Sequence, residues 1–424
     1  MKLETIAKNP EESWLYLERY VNKGSPSGFT RKYHPPDEFD PFSDTESFKL
    51  PQLLVNKKEL ITYGEYPVVL ETPSEKDNIE LSSFFMHPII YSHKKFAHWV
   101  GVNYNKLNIY SFLNASPTAS GRTIWLHGLE KLIHLKLHYP GILCRVNREL
   151  PFKKAIAGPE LWFAIKPFLD SGKAPKTLSF FPEVAARMWN PLNGNLNSIG
   201  LIVRDAKPYP YKKNRYIIPF FSLFSKDTKS PNDRLLIYQL LDIANNPAEF
   251  LYEKILKAVI ESYCYLTFKL GIMPEINAQN ILLELSPNFM PTRVILRDIS
   301  RMEKNLHLRR KLGLQTNFKS NGYKIIDAEV NREYSEIRHS FSYDFKLSYY
   351  IIAELIDCCA KEYRFNADNI DQKVKELFWK LASEEIFYYF PSGNVWYSHD
   401  NILLTNKRSY TKNKNPRFRR CIND

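Results

Sequence analysis

The spacing of apolar residues changes character twice along the 424-residue chain. Beyond Asp233 it approaches the helical period. Leu236, Leu240 and Ile243 share one face, and Leu251, Ile255, Val259, Ser262 and Leu266 share another up to Gly271, a natural residue to follow a helix end. Long helices are predicted again over Tyr343–Glu362 and Ile370–Ile386. From Phe84 to Phe224 the pattern breaks into short runs, Ile124–Leu126, Leu132–Leu137, Ser198–Arg204 and Tyr216–Phe221, punctuated by Gly, Pro and Asn. Such runs predict antiparallel sheet, with Pro159–Leu169 as an occasional helix. Residues 1–86 are rich in Pro, Asp, Glu and Ser, with a helical pattern near Glu11–Val21 and turn signals over Gly24–Ser43. The chain therefore reads as an α+β protein in three parts: a reduced N-terminal lobe (1–86), a β-rich domain (87–230) and a mainly helical domain containing a β-hairpin (231–424).

Composition narrows the class. With 44% hydrophobic and 14% aromatic residues the chain can bury enough apolar surface to fold, which excludes a largely disordered protein. No stretch approaches the roughly 18 consecutive apolar residues of a membrane span, and the N-terminus lacks a signal-peptide core, so a soluble, cytoplasmic protein with no membrane partner is expected. The cysteines (Cys144, Cys264, Cys358, Cys359, Cys421) are odd in number and lack C-x-x-C spacing, which predicts reduced thiols, several in the core. Cys144 reads as a buried thiol with no activating base. The mixed spacing of His127, His134 and His138 fits structural histidines rather than metal ligands. Trp125, Trp162, Trp189, Trp379 and Trp396 are core candidates. The formal charge of +13 points to an anionic partner. Its visible clusters are Lys304 with Arg309-Arg310-Lys311, and a tail with Lys407-Arg408, Lys412, Lys414, Arg417 and Arg419-Arg420. Neither carries a nucleic-acid module, so nucleic acid is not the expected partner, and the tail reads as a solvated basic face or a frayed terminus.

Two segments carry chemistry. An extended Glu275–Leu285 would place Glu275, Asn277 and Gln279 on one side and Ile276 and Ala278 on the other. A hairpin of Ile281–Leu285 with Val294–Leu296 would then return Asp298 toward Glu275. Carboxylate and amide oxygens of this kind suit Mg²⁺ held with substrate phosphates, and the spacing Glu275…Asn280…Asp298 also parallels the metal-holding arrangement of kinase-like sites. Against a kinase, there is no Gly-rich phosphate loop, H-R-D or D-F-G. Upstream, Ser120-Gly121-Arg122-Thr123 sets hydroxyls and a guanidinium in one turn, followed by Lys136, Arg145 and Arg148. Hydroxyls, backbone N–H groups and Arg forks hold phosphate or carboxylate oxygens, while a plain surface turn is the ordinary alternative.

In order, these pieces resemble the IucA/IucC family of siderophore synthetases that work without nonribosomal peptide synthetases. The resemblance rests on Phe85-Met86-His87-Pro88, Ser120-Gly121-Arg122-Thr123, Lys136-Leu137 with Arg148 twelve residues on, Gly158-Pro159 and Ile202-Val203-Arg204-Asp205. It continues through Gly271-Ile272-Met273-Pro274-Glu275-Ile276-Asn277-Ala278-Gln279-Asn280, Arg297-Asp298 and Asn415-Pro416. It implies a hand-like thumb, fingers and palm, with β-rich fingers and a helical palm around ATP. The implied activity is ATP- and Mg²⁺-dependent adenylation of a polycarboxylic acid such as citrate, then condensation with an amine or hydroxyl. It further implies that Ser120, Arg122 and Thr123 hold phosphates, that Lys136 and Arg148 neutralise α-phosphate and carboxylate charge, and that Gln279, Asn280, Glu275 and Asp298 position nucleotide and metal. A homodimer is one assembly it allows. The chain departs from the family pattern at Asn277, where the family has His and where charge stabilisation in catalysis is weakened. It departs again at His87-Pro88-Ile89-Ile90 for H-P-W-Q, at Arg297-Asp298-Ile299-Ser300-Arg301 for R-D-x-G-G, and in a shortened N-terminal portion. A kinase-like phosphotransferase and a nonenzymatic homologue acting by binding stay open as alternatives.

Overall fold

A computed structural model describes residues 1–22, 35–72, 74–76, 78–92, 107–143, 146–190, 199–320, 322–382, 384–399 and 410–421. Cys144, Arg145, Lys407, Arg408 and much of the Gly24–Ser43 stretch lie outside the described residues.

In chain order the strands are β1 (Phe48–Asn56), β2 (Leu60–Gly64), β3 (Ser74–Lys76), β4 (Ile79–Phe85), β5 (Ile109–Pro117), β6 (Thr123–Leu126) and β7 (Ile133–Leu137). Then come β8 (Ile142–Leu143), β9 (Val146–Asn147), β10 (Leu178–Phe180), β11 (Glu183–Trp189) and β12 (Ile199–Asp205). Nine of them form one antiparallel sheet in the order β2-β11-β12-β7-β6-β5-β1-β4-β3. The alternation that predicted strands also sorts their faces. Ile133, Leu135, Leu137, Leu201 and Val203 enter one apolar cluster with Leu50, Leu53 and Phe84. His134, Lys136, Ile202 and Arg204 therefore share the opposite face, with Lys136 paired to Ile202 and His134 to Arg204 across β7 and β12. On that face Ala186, Met188 and Ile202 pack against Ala155 and Ile156 of a long helix, Phe152–Asp170.

Residues 1–86 are divided between two cores. The helices α1 (Leu3–Lys8) and α2 (Pro10–Tyr20) put Leu3, Ile6 and Leu17 into the large helical core, whereas β1 and β4 pair with each other and β1 with β5 inside the sheet. The boundary drawn at residue 86 thus falls within one sheet.

A second sheet runs β10-β16-β15-β13, where β13 is Tyr216–Pro219, β14 is Ile272–Met273, β15 is Ile281–Leu285 and β16 is Pro291–Leu296. The predicted strand Tyr216–Phe221 stops at Pro219, and Phe220–Leu223 is helical. The hairpin β15–β16 forms as expected, with Ile281 opposite Leu296. Behind it lie the helical runs 247–269, Arg332–Tyr363 and Ala367–Ala382, whose inner faces include Leu251, Ile255, Val259, Leu266, Leu347, Ile351, Val374 and Phe378. Gly271 takes a positive φ of 59° after the first of these runs, as its position predicts. Ile243 is 47% exposed, because its helix ends at Leu241 before Asn246 caps the next one at Pro247.

The basic clusters are largely consumed by the fold. Lys304 and Arg309 are buried, and Arg309 donates to the carbonyls of Leu270 (2.6 Å) and Gln315 (2.6 Å). Arg310 and Lys311 pair with Asp327, Glu329 and Glu385. The expected solvated tail holds at Lys412, Lys414 and Arg417, which are exposed, Arg417 while pairing with Asp357 and Asp371, and is corrected at Arg419, which is fully buried on Asp344. Cys264, Cys359 and Cys421 are buried and Cys358 is half-buried. Trp125, Trp162 and Trp189 are core residues, while Trp379 and Trp396 are partly exposed.

Candidate active site

Between the nine-stranded sheet and the end of the β15–β16 hairpin lies a cleft of about 650 Å³ including its open mouth. Ser120, Arg122, Thr123, Lys136, Arg148, Glu275, Asn277, Gln279, Asn280 and Asp298, drawn from segments more than 120 residues apart, all line it. Thr118, Arg204, Arg297 and Arg301 line it too, without having been assigned a role from sequence. Arg204 had a readable signal. It sits on the same sheet face as Lys136 by the two-residue period.

The sheet wall begins with the turn 118–123. Thr118 donates through both N–H (2.9 Å) and Oγ1 (2.8 Å) to the carbonyl of Thr123, and Thr123 N–H donates to Ser120 Oγ (3.2 Å). Gly121 has φ 60°, and its carbonyl accepts from His87 Nε2 (3.1 Å) while His87 Nδ1 accepts from Ile89 N–H (3.2 Å). His87 is thus a neutral buried brace behind the turn, and burial pulls its pKa down to about 4. The Arg122 guanidinium donates to the Arg148 carbonyl, and Arg148 Nε donates to the Leu143 carbonyl (3.3 Å). Burial, and then the neighbouring Arg148 charge, lower Arg122 to about 9. Burial likewise lowers Lys136 to about 8, with Asp298 pulling the other way. His134 and His138 are buried and held below the usual histidine range chiefly by burial, His134 lying against Trp14 and Trp125. His127 is half-buried and meets Ser116 Oγ at 2.7 Å.

The opposite wall is irregular. Residues 274–280 are not the extended strand expected. Asn277 Oδ1 accepts from the N–H groups of Gln279 (3.0 Å) and Asn280 (3.1 Å), and this side-chain turn replaces strand pairing. Ile276 and Ala278 are still buried while Glu275, Asn277 and Gln279 face the cleft. Asn280 Nδ2 donates to the Glu275 carbonyl (3.1 Å). Asp298 adopts a left-handed φ of 67°, rare for a non-glycine residue, and its Oδ1 accepts from Lys136 Nζ and from Arg204 (3.0 Å). Burial works to raise its pKa, but Lys136 and Arg204 outweigh burial and hold it well below the carboxylate range. Glu275 is held low in the same way, with Arg301 Nε at 2.8 Å from Oε2 and Lys346 Nζ at 2.6 Å from Oε1 outweighing burial.

Two buried carboxylates stand behind the walls, and neither was legible in the sequence. Glu183 accepts from Arg204 (2.9 Å) and from Ser300 N–H (2.8 Å), and it fits against the long helix because residue 158 is glycine: a Cβ there would overlap its carboxylate. Glu18, on α2, receives both terminal nitrogens of Arg297 and the Trp14 Nε1 (3.1 Å), while Ala119 N–H approaches at 3.4 Å. Arg297 also donates to the Gln279 carbonyl (2.6 Å), so one buried glutamate ties the turn to the hairpin.

As folded, Glu275, Asn280 and Asp298 do not form a metal site. Both Glu275 oxygens and Oδ1 of Asp298 already accept from fixed cations. What the cleft offers is cationic: six Lys and Arg side chains line it against two carboxylates, with Glu18 and Glu183 behind. Such a concave, positively charged site suits a polyanion.

No protein-family model matches the sequence, and no curated protein matches it. Solved structures do. AsbB, a petrobactin biosynthesis protein from Bacillus anthracis str. Sterne, is similar over 98% of this chain and 77% of its own, with a TM-score of 0.77 at 16% identity. This chain has the fold of the siderophore synthetases. The ATP-bound aerobactin synthetase IucA from a hypervirulent Klebsiella pneumoniae gives a TM-score of 0.70 over 97% of this chain and 80% of its own, at 15% identity. Aerobactin synthetase IucC from the same pathotype gives 0.64 over 87% and 68%, also at 15%. The mixed α+β architecture shared with these synthetases is the one the ordered motifs pointed to, and among the described residues no helix is long and apolar enough to cross a membrane.

Proposed function

We propose that the protein is an ATP-dependent carboxylate ligase of the siderophore-synthetase type, with ATP in the cleft between fingers-like sheet and palm-like helical regions. One observation carries this reading: the S-G-R-T turn, Lys136, Arg148 and the 275–298 segment, distant in sequence, line a single cationic cleft in a fold shared with an ATP-bound synthetase. In the first half-reaction an oxygen of the acid forms a bond to the α-phosphorus as the α–β phosphoanhydride breaks and pyrophosphate leaves. Anion meets anion in that step, so the protein's task is fixed positive charge and alignment rather than a covalent nucleophile. Arg122, Lys136 and Arg148 supply the charge, the turn hydroxyls and amide-bearing side chains orient the phosphates, and Lys136 exchanges Asp298 for a ligand oxygen. In the second step an amine or hydroxyl attacks the acyl carbon and AMP leaves. The acid is of the polycarboxylate class, citrate being one example.

The test is a screen of organic acids and amines with nucleotide products resolved. Acid-dependent pyrophosphate exchange or AMP release supports the ligase, ADP moves the protein to the phosphotransferases, and absence of any nucleotide-induced thermal shift leaves a binding homologue. Arg148→Ala should abolish acid-dependent exchange with the melting temperature unchanged; an unaltered rate removes Arg148 from the acid's site.

A further inference from the structure

Arg301 ends the short 3₁₀ turn Ile299–Arg301, where the family motif has glycine. Its backbone is fixed. Arg301 N–H donates to the Asp298 carbonyl (2.9 Å), Met302 N–H to the Ile299 carbonyl (3.0 Å), and the preceding Ser300 N–H to buried Glu183 (2.8 Å). The guanidinium is anchored on Glu275 through Nε, lies against Tyr323, and keeps 23% of its side chain exposed. It lines the cleft and also a smaller neighbouring cavity of about 210 Å³; Glu275 and Arg301 are the residues common to both. A divalent cation ligated by Glu275 would have to compete with Arg301 on one oxygen or Lys346 on the other, in a cleft where Arg122 and Arg148 add further positive charge.

We propose that Arg301 is a resident cation of this cleft: it binds the polyphosphate of the ligand directly, from its seat on Glu275, so that this protein holds its anionic ligand without a divalent metal. The inference rests on reading the cleft as a polyphosphate site. Arginine suits the role because its planar fork can keep Nε on Glu275 while the terminal nitrogens turn to phosphate oxygens. Its neighbours agree in sign, since Lys346 on Glu275 makes that carboxylate a support for cations rather than a vacant metal ligand.

Titration calorimetry of the full chain with inorganic tripolyphosphate and with ATP, each in EDTA and in excess Mg²⁺, tests the proposal. Wild type should bind tripolyphosphate in EDTA at least as tightly as in Mg²⁺. Arg301→Gly should weaken binding in EDTA about 10- to 100-fold, the value of a lost charge-assisted hydrogen bond, and Mg²⁺ should restore part of it; Arg301→Lys should fall between. Circular dichroism and thermal melts establish folding, and Arg301→Gln replaces the glycine variant if that one does not fold. Binding by wild type only in Mg²⁺, or equal binding by wild type and variants in EDTA, overturns the assignment of Arg301. Tripolyphosphate binding without ATP binding would leave Arg301 its role and remove the nucleotide reading. ATP binding with silent Arg301 variants would do the reverse, and no binding of either anion would remove both.

Discussion

The two walls of the cleft are built by different means. On the sheet wall, Lys136 and Arg204 hold their places because strand register and the two-residue period leave them no other. On the hairpin wall, regular pairing ends at Ile281 and Leu296, and each group beyond is placed individually: an Asn277 side-chain turn, a left-handed Asp298, a salt-bridged Arg301. The sheet wall is cationic and the hairpin wall supplies the carboxylates, so Asp298 compensates Lys136 and Arg204 across the gap. An anion site thus borrows a carboxylate of the protein, which an incoming phosphate can replace at modest cost because one anion is exchanged for another.

That difference can be broken most forcefully from behind the hairpin wall. Glu18→Ala leaves Arg297 buried without its carboxylate, and a loss of about 3–5 kcal/mol in urea unfolding is expected, smaller for Glu18→Gln. A change under 1 kcal/mol would mean that the wall does not depend on this glutamate. Gly158→Ala pushes on Glu183 and through it on Arg204 and Ser300, reaching both walls together. Overpacking of this kind should cost about 1–3 kcal/mol and weaken ATP-induced thermal stabilisation. Unimpaired stabilisation would show that Glu183 relaxes freely.

Acid should reach the sheet wall through two buried histidines, with buried His339 of the helical part adding to the global slope. His87 and His138 are neutral in the fold, with pKa values lowered by burial to about 4 and about 3. The unfolded chain takes up their protons below about 6.5, so stability is fully present above that pH and falls as pH drops toward 4, by about 1.4 kcal/mol per unit for each histidine. Urea midpoints from pH 6.5 to 4.5 measure the slope; His87→Gln should make it shallower, and an unchanged slope would contradict the assignment. The smallest effect belongs to Asn277→Ala, which removes two backbone hydrogen bonds and should cost about 1 kcal/mol while raising hydrogen exchange at Gln279 and Asn280. Exchange that stays slow there would place the turn's stability elsewhere.

Much of the sheet was legible because one face of each strand is apolar, as at Leu135 and Leu137 beside Lys136. The hairpin was legible for the same reason, and the turn before it was misread as strand because an Asn side chain can satisfy the backbone in place of a partner strand. The basic tail was misread at one residue, Arg419. Charge can be counted from sequence, but whether Arg419 faces solvent or Asp344 depends on which helix packs beneath it.

The amino-acid order alone determined the element types, the apolar faces and the set of polar residues able to meet a polyanion, because periodicity and side-chain chemistry are local properties. Which carboxylate neutralises which cation was decided only in three dimensions. Glu18 reaches Arg297 across 279 residues and Lys346 reaches Glu275 across 71, and no local pattern encodes contacts fixed by how separate layers come to rest against one another.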